Sequence, residues 1–442
     1  MTPRTLFSIP AAGRVRRWLA ALFSVALLAA GAPAVSGAEA EHGKSVQSAM
    51  KAEAHASPDA VHEADAAPAV PLTLAKRFGY SYLTAFMFFL SLCLGSLFLV
   101  ILHHLFDSMW SVPIRRLLEH LACLLFPWMF ILFLPIAALA PTIYGWMNLD
   151  PHLDHALHAK QALFNKTAFY VVSGALFLIW GWLSHSLRRC SLEQDKTGAA
   201  EWTFKMRKLA AGGIFIFAFS LTLGAIYWMK SLQHQFFSTM YGVYYFAGSV
   251  WTTLATVYVL TLYFKRQGAL RDVTGPRQFH DLGVLFFTFT VFYAYIHFSQ
   301  YFLIWNAAVP EETFWYVLRE KGSWWDIGML IIFGHFLLPF LLLLRIDAKL
   351  SIKVVGPLAV WAWLMHYLDM QFNVMPVIYP DGFQFGIFDL ISLAVIGGVL
   401  ANRFLSAFHS HPPYPQKDPR MGETMGIYFP AAGSEASPGG GH

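Results

Sequence analysis

Apolar runs of about 20 residues, parted by short clusters of charged, proline and glycine residues, recur along this chain from residue 80 to residue 405. Stretches long enough to cross a bilayer as helices fall at approximately 80–102, 117–141, 166–186, 208–229, 240–264, 282–308, 324–345, 353–375 and 385–405. The pattern predicts an all-α, polytopic integral membrane protein with nine spans after the N-terminal segment.

That segment, residues 1–38, has two readings. Arg14, Arg16 and Arg17 precede an apolar run at 18–30, and small residues come next through Ser36-Gly37-Ala38. This is the order of a secretory signal peptide, cleaved near Ala38. Alternatively 31–38 extends the run past Pro33 into a retained helix, for ten spans in all. Both readings put the adjoining stretch outside the cytoplasm. Residues 39–79 then read as a disordered external linker, rich in Ala, His, Glu and Pro and without a sustained apolar face. His42, His55 and His62 are irregularly spaced there, as in a solvated tail. Residues 406–442, with a proline run and a closing Gly-Gly-Gly-His, read as a disordered cytoplasmic tail.

Basic residues orient the spans. With the linker outside, the loops and tail assigned to the cytoplasm carry 18 Lys and Arg, against five in the opposite loops between spans. The asymmetry agrees with the positive-inside rule, with only Lys76 and Arg77 running against it. The expected location is a bacterial inner membrane, with the N-terminal linker periplasmic.

Composition agrees: 57% hydrophobic and 13% charged residues suit a chain solvated by lipid. The net charge of +5 is dispersed over several loops, which argues against a nucleic-acid partner. Cys93, Cys123 and Cys190 form no CxxC or CxxCH motif, so covalent haem and iron–sulfur ligation are not expected in this chain. Electron transfer would then need redox centres in partner subunits or a diffusible cofactor.

An ionisable side chain at bilayer depth costs roughly 2.5–3.5 kcal/mol, which makes each one a functional candidate. His335 falls near the middle of its span. His366 and Asp369 lie three apart on one helical face. Tyr293, His297 and Tyr301 repeat every four residues, with Gln300 beside them. Asp326 and Asp389 lie just inside the external ends of their helices, and Glu311 and Glu312 fall in an external loop. Glu119, His120, His280 and Asp281 sit toward the cytoplasm. Each of these is also open to a plainer reading, an interhelical hydrogen bond or an end-of-helix residue reaching the interface. A b-type haem held by two of the central histidines is a further alternative, though no helix carries two at an interval suited to stacked haems.

Several passages together resemble one family. They are Ser108-Met-Trp-Ser-Val-Pro-Ile-Arg-Arg116, Ser238-Thr-Met-Tyr-Gly-Val-Tyr-Tyr-Phe-Ala-Gly-Ser249, Ala294-Tyr-Ile-His-Phe-Ser-Gln-Tyr-Phe-Leu-Ile-Trp305, Pro310-Glu-Glu-Thr-Phe-Trp-Tyr316, Gly334-His-Phe-Leu-Leu-Pro-Phe340, and Asp369 leading to Val374-Met-Pro376. In that order, over roughly residues 76 to 405, the chain is similar to the polysulfide-reductase-like (NrfD-like) quinone-interacting membrane subunits, most of all the F-type subunits of alternative complex III, the bacterial quinol:cytochrome c oxidoreductase. The resemblance implies two four-helix bundles, 80–229 and 230–375, with a last helix in 376–405 and peripheral helices outside the bundles. It also implies a quinol such as menaquinol as bound substrate, proton conduction, and partner subunits carrying haem c and iron–sulfur clusters. Two features depart from the family: Tyr227-Trp228 stands where an Asp commonly precedes the Trp, and the external linker is long and His-rich.

On this reading His366 and Asp369 accept protons from quinol and Glu311 and Glu312 line an exit. His335, Glu119, His120 and Asp281 extend a route inward, and His297, Tyr301, Asp326 and Asp389 are further candidates. No metal ligand is assigned. The rival readings are a structural anchoring subunit without its own quinol site and a secondary transporter. The transporter would show broken helices at matched positions of two halves, whereas Pro127, Pro135 and Pro339 are not matched.

Overall fold

The computed structural model describes residues 72–425, and all regular structure among them is helical. The signal-like segment, His42, His55 and His62 lie outside the described residues. Nine long helices succeed one another among the described residues: α1 (Leu74–Phe106), α2 (Met109–Ile143), α3 (Lys166–Thr197), α4 (Glu201–Trp228), α5 (Tyr241–Arg266), α6 (Pro276–Ala307), α7 (Ser323–Leu343), α8 (Ile352–Val374) and α9 (Ile387–His409). Each covers one expected span, and eight of them, all but α8, are long and apolar enough to cross a membrane. Lys353, His366, Asp369, Gln371 and Asn373 dilute the hydropathy of α8. The chain is a polytopic, all-α membrane protein.

The local breaks have causes in the sequence. Thr73 caps α1 by accepting from the Lys76 backbone N–H at 3.3 Å, so helix begins five residues before the expected end of the linker at 79. In α2 the α-helix stops at Ala122, passes through a 3-10 turn, and resumes at Trp128. Pro127 has no N–H to carry the ladder across that point. In α7, Ile331–Leu337 widens to a π-helix. Pro339 lacks the N–H that would bond the His335 carbonyl four residues earlier, which favours this looser winding.

Apolar on all sides, α1 is the centre of the packing, as such a helix must be unless lipid surrounds it. Of its most apolar 18-residue window 89% is buried, against 28% in α7 and α9, which face outward. It touches α2, α4, α5, α8 and α9, while α3 packs on α4, α6 on α5, and α7 on both α6 and α8. At the crossing of α1 and α5, a Cβ on Gly95 would stand 2.4 Å from the Ser249 carbonyl oxygen, so only glycine admits this approach.

Most basic residues gather at one end of the helices, and there the tail departs from expectation. Residues 410–425 fold back over that end rather than forming a disordered tail from 406. Gln416 N–H donates to Asp195 Oδ1 at 2.9 Å, Thr424 Oγ1 donates to the Met109 carbonyl at 3.1 Å, and Asp418 pairs with Arg115. The reason is electrostatic. Arg115 and Arg116 are fully buried beside one carboxylate of their own helix, Glu119, and buried guanidiniums need further anionic partners. Asp418 and Asp195 supply them. Burial alone would push the Asp418 carboxyl up, but Arg115 and the Arg420 backbone and side chain outweigh it and hold the group below its usual range.

Candidate functional site

Four helices converge on a buried polar centre. From α8 come His366, Asp369 and Asn373, at i, i+3 and i+7 on one face. The matching face of α5 brings Tyr241, Tyr244, Gly248 and Trp251, while α6 brings Tyr293 and the π segment of α7 brings His335. Both histidines and the aspartate are at most 1% exposed.

Asp369 Oδ1 accepts a hydrogen bond from the Tyr244 hydroxyl. Tyr293 OH lies 3.2 Å from Tyr244 OH, and Asn373 Nδ2 donates to Tyr244 OH at 3.1 Å and to the Asp369 carbonyl at 2.8 Å. Tyr241 OH in turn donates to Asn373 Oδ1 at 3.1 Å. His366 Nε2 meets Ser91 Oγ of α1 at 2.9 Å, and the Ser91 hydroxyl gives its own proton to the Phe88 carbonyl at 2.7 Å. Nε2 must therefore be the donor, which fixes the tautomer and leaves Nδ1 as a bare acceptor. His335 is stacked between Trp251 and Tyr293, with ring centroids 3.7 Å away on either face.

Four atoms are left over. Among the described residues, His335 Nδ1 and Nε2, His366 Nδ1 and Asp369 Oδ2 are buried with no hydrogen-bond partner. Each such atom costs roughly 1–3 kcal/mol, so their concentration at one point points to function rather than packing. His335, His366 and Asp369 each bring a ligand-type atom within 4.8 Å of the others, a grouping of metal-ligand type as well as an acid–base one. Glycine is required beside them: a Cβ on Gly248 would lie 2.9 Å from His366 Cε1.

Arg319 closes the centre on the less basic side. It ends the short helix Pro310–Arg319, is fully buried, and stacks on Trp315 at 3.4 Å. Among the described residues no carboxylate pairs with it. Its guanidinium donates instead to the Phe372 and Asn373 carbonyls at the end of α8 and to the Trp315 carbonyl, each at 2.8 Å. Helix C-termini carry partial negative charge, so two of them hold this cation. Burial pulls its pKa down to about 9, which still leaves it charged at neutral pH.

The other candidates fall in different surroundings. His297 is half-buried at the rim, its ring edge-on to Tyr244 at 5.4 Å. Tyr301 packs on Trp305 and Tyr316, one step removed, and Gln300 bonds Ser238 and Tyr316. Asp389 sits in the first turn of α9, accepting from Gly386 N–H at 2.9 Å and from Gln371 at 2.9 Å, so it caps its helix. Asp326 and Glu311 are exposed and Glu312 is half-buried. Asp281 is half-buried beside His280 at the basic end. Glu119 is held between Arg115 at 3.1 Å and Arg116 at 2.7 Å, and so is an ion-pair partner with no free oxygen for a relay. His120 packs on Phe404, Phe408 and His411 with both nitrogens unpartnered among the described residues.

No family model and no curated protein matches this chain, so its own geometry carries the functional argument.

Sequence reasoning missed Tyr241, Tyr244, Trp251, Ser91, Asn373 and Arg319. For the α5 residues a signal was present: Tyr241, Tyr244, Gly248 and Trp251 fall at i, i+3, i+7 and i+10, an aromatic stripe along one face of the span. Ser91 had none, since a serine bonded to its own helix is ordinary in a span.

Proposed function

We propose that this chain is a membrane subunit of a respiratory quinol:electron-acceptor oxidoreductase of the alternative complex III type, and that its buried centre handles the protons of quinol oxidation. The observation that carries this reading is the convergence of Asp369, His366 and His335, all buried, with four unpartnered acid–base atoms gathered at one point. Quinol oxidation releases two protons and two electrons. The electrons pass to iron–sulfur and haem c centres of partner subunits, because the cysteine pattern of this chain offers a ligand set for neither. The protons need acceptors, and Asp369 Oδ2 and His366 Nδ1 are bare ones.

Tyr244 orients Asp369, and Ser91 orients His366 by fixing its tautomer. His335, locked in its aromatic sandwich, has a nitrogen within 4.8 Å of both, a gap that one water can bridge, so that a proton taken up at one nitrogen is released from the other without the ring turning. In this scheme the external side is the one with Arg319, the end at which α1 begins. The broken segments of α2 and α7 occupy the second and third places of successive groups of four helices, so they lack the matched placement of a transporter repeat.

The test is quinol:cytochrome c turnover and proton release in an Asp369→Asn variant whose complex assembles. Loss of both supports the proposal. Unchanged turnover with intact assembly would leave a purely anchoring subunit.

A further inference from the structure

At the basic end a cavity of about 710 Å³ opens between the last turns of α3 and the returning tail, lined by His185, Arg188, Arg189, Lys196, His411 and Gln416 among others. Its charges are unevenly matched. Glu193 is taken by Lys196 at 2.8 Å and Asp195 by Arg116. Arg188 reaches the His411 ring at 3.3 Å, and among the described residues neither Arg188 nor Arg189 has a carboxylate partner. The cavity thus presents two unneutralised guanidiniums.

The same helix face continues into the apolar part of the span. Val171, Leu178, Trp182, His185, Arg189 and Lys196 succeed one another at intervals of three, four and seven, one continuous stripe. Leu178 is 60% exposed and Trp182 55% exposed, although both lie in a helix long and apolar enough to cross a membrane. An apolar track ending in an indole and then in paired guanidiniums has the polarity of one ligand: an acyl chain, an interfacial zone and a phosphate.

We propose that this groove binds the phosphodiester headgroup of an anionic phospholipid, with Arg188 and Arg189 on the phosphate and an acyl chain along Leu178 and Trp182. Bound there, the lipid bridges α3 to the returning tail, because Arg188 of α3 and His411 of the tail both line the cavity. Each guanidinium near the membrane surface is worth about fivefold in affinity for anionic lipid.

The test is native mass spectrometry of the full chain from nanodiscs of equimolar phosphatidylglycerol and phosphatidylcholine. The expected result is selective retention of one phosphatidylglycerol, reduced about thirtyfold in Arg188→Gln/Arg189→Gln and unchanged in Arg277→Gln, a basic-end control. Equal retention of both lipids, or retention unaffected by the double variant, overturns the proposal. Should the double variant not fold, exposed Arg189→Gln alone carries the test, with about fivefold expected and no change overturning it. Displacement of the phosphatidylglycerol by millimolar inorganic phosphate would assign the groove to a free anion and overturn the lipid assignment.

Discussion

Two buried polar regions of this protein solve the same problem in opposite ways. Around Arg115, Arg116, Glu119 and Asp418, every guanidinium finds carboxylates and both Glu119 oxygens are engaged. Around Asp369 and His366, one side of each group is partnered and the other is bare among the described residues, and both His335 nitrogens are bare. A charge-paired network resists change, because breaking one buried pair strands its partner. An unsaturated centre keeps lone pairs free for a proton. The contrast separates residues that look alike in sequence: Glu119 with His120 and His366 with Asp369 are both acid–imidazole pairs near a span, yet only the second pair brings bare acceptors together.

The sharpest way to break this comparison is Asp369→Asn. It removes an acceptor without removing bulk, and turnover of the assembled complex is expected to fall by about 10²–10⁴-fold, the usual contribution of a general base. A melting temperature close to that of the parent would show that the loss is chemical. Arg115→Gln should do the reverse, costing about 3–5 kcal/mol of stability by leaving Asp418 with Arg420 alone and part of Glu119 unpaired. Unfolding in detergent measures this, and turnover per folded complex should hold. Reduced turnover in fully folded Arg115→Gln would erase the distinction between the two regions.

Smaller effects sharpen it. Gly248→Ala places a methyl against His366 and should cost about 1–3 kcal/mol through overpacking. It should also lower turnover, since the His366 ring must move off Ser91; a variant with parental activity would remove His366 from the mechanism. Acid should loosen the returning tail. Asp418 is held below the usual carboxylate range when folded, so its contribution is complete above that range and is lost as pH falls through the lowered folded value. Protease sensitivity of residues 410–425 should rise on acidification, and Asp418→Asn should make it independent of pH. Least of all, Asp326→Asn should change stability by less than about 0.5 kcal/mol, with turnover unaffected.

The sequence marked α8 twice over, by an apolar run and by a His–Asp pair three residues apart, and both features are in the helix that forms. It could not rank its candidates. Asp389 and Asp369 are each an aspartate in an apolar span, but one falls within a turn of a helix start and caps it, whereas the other faces three foreign helices. Glu119 read as a proton-relay candidate beside His120 because the carboxylates that share its arginines lie at 195 and 418, too far along the chain for any local pattern to join them. The tail read as disordered for the same reason: its composition is polar, and what orders residues 410–425 is a demand for anions set by Arg115 and Arg116.

Hydrophobic patterning alone thus determined that this chain is a set of membrane helices, roughly where each lies, with ends displaced by as much as eleven residues where α3 runs on from 186 to Thr197, and which few side chains would be costly to bury. Those are local properties, set by 1.5 Å of rise per residue and by the free energy of moving apolar surface out of water. Which costly side chains face one another was decided only by tertiary packing. A hydrogen bond is made or missed over fractions of an ångström between residues as distant in sequence as Ser91 and His366, and the four unpartnered atoms at the centre exist only once α5, α6, α7 and α8 have met.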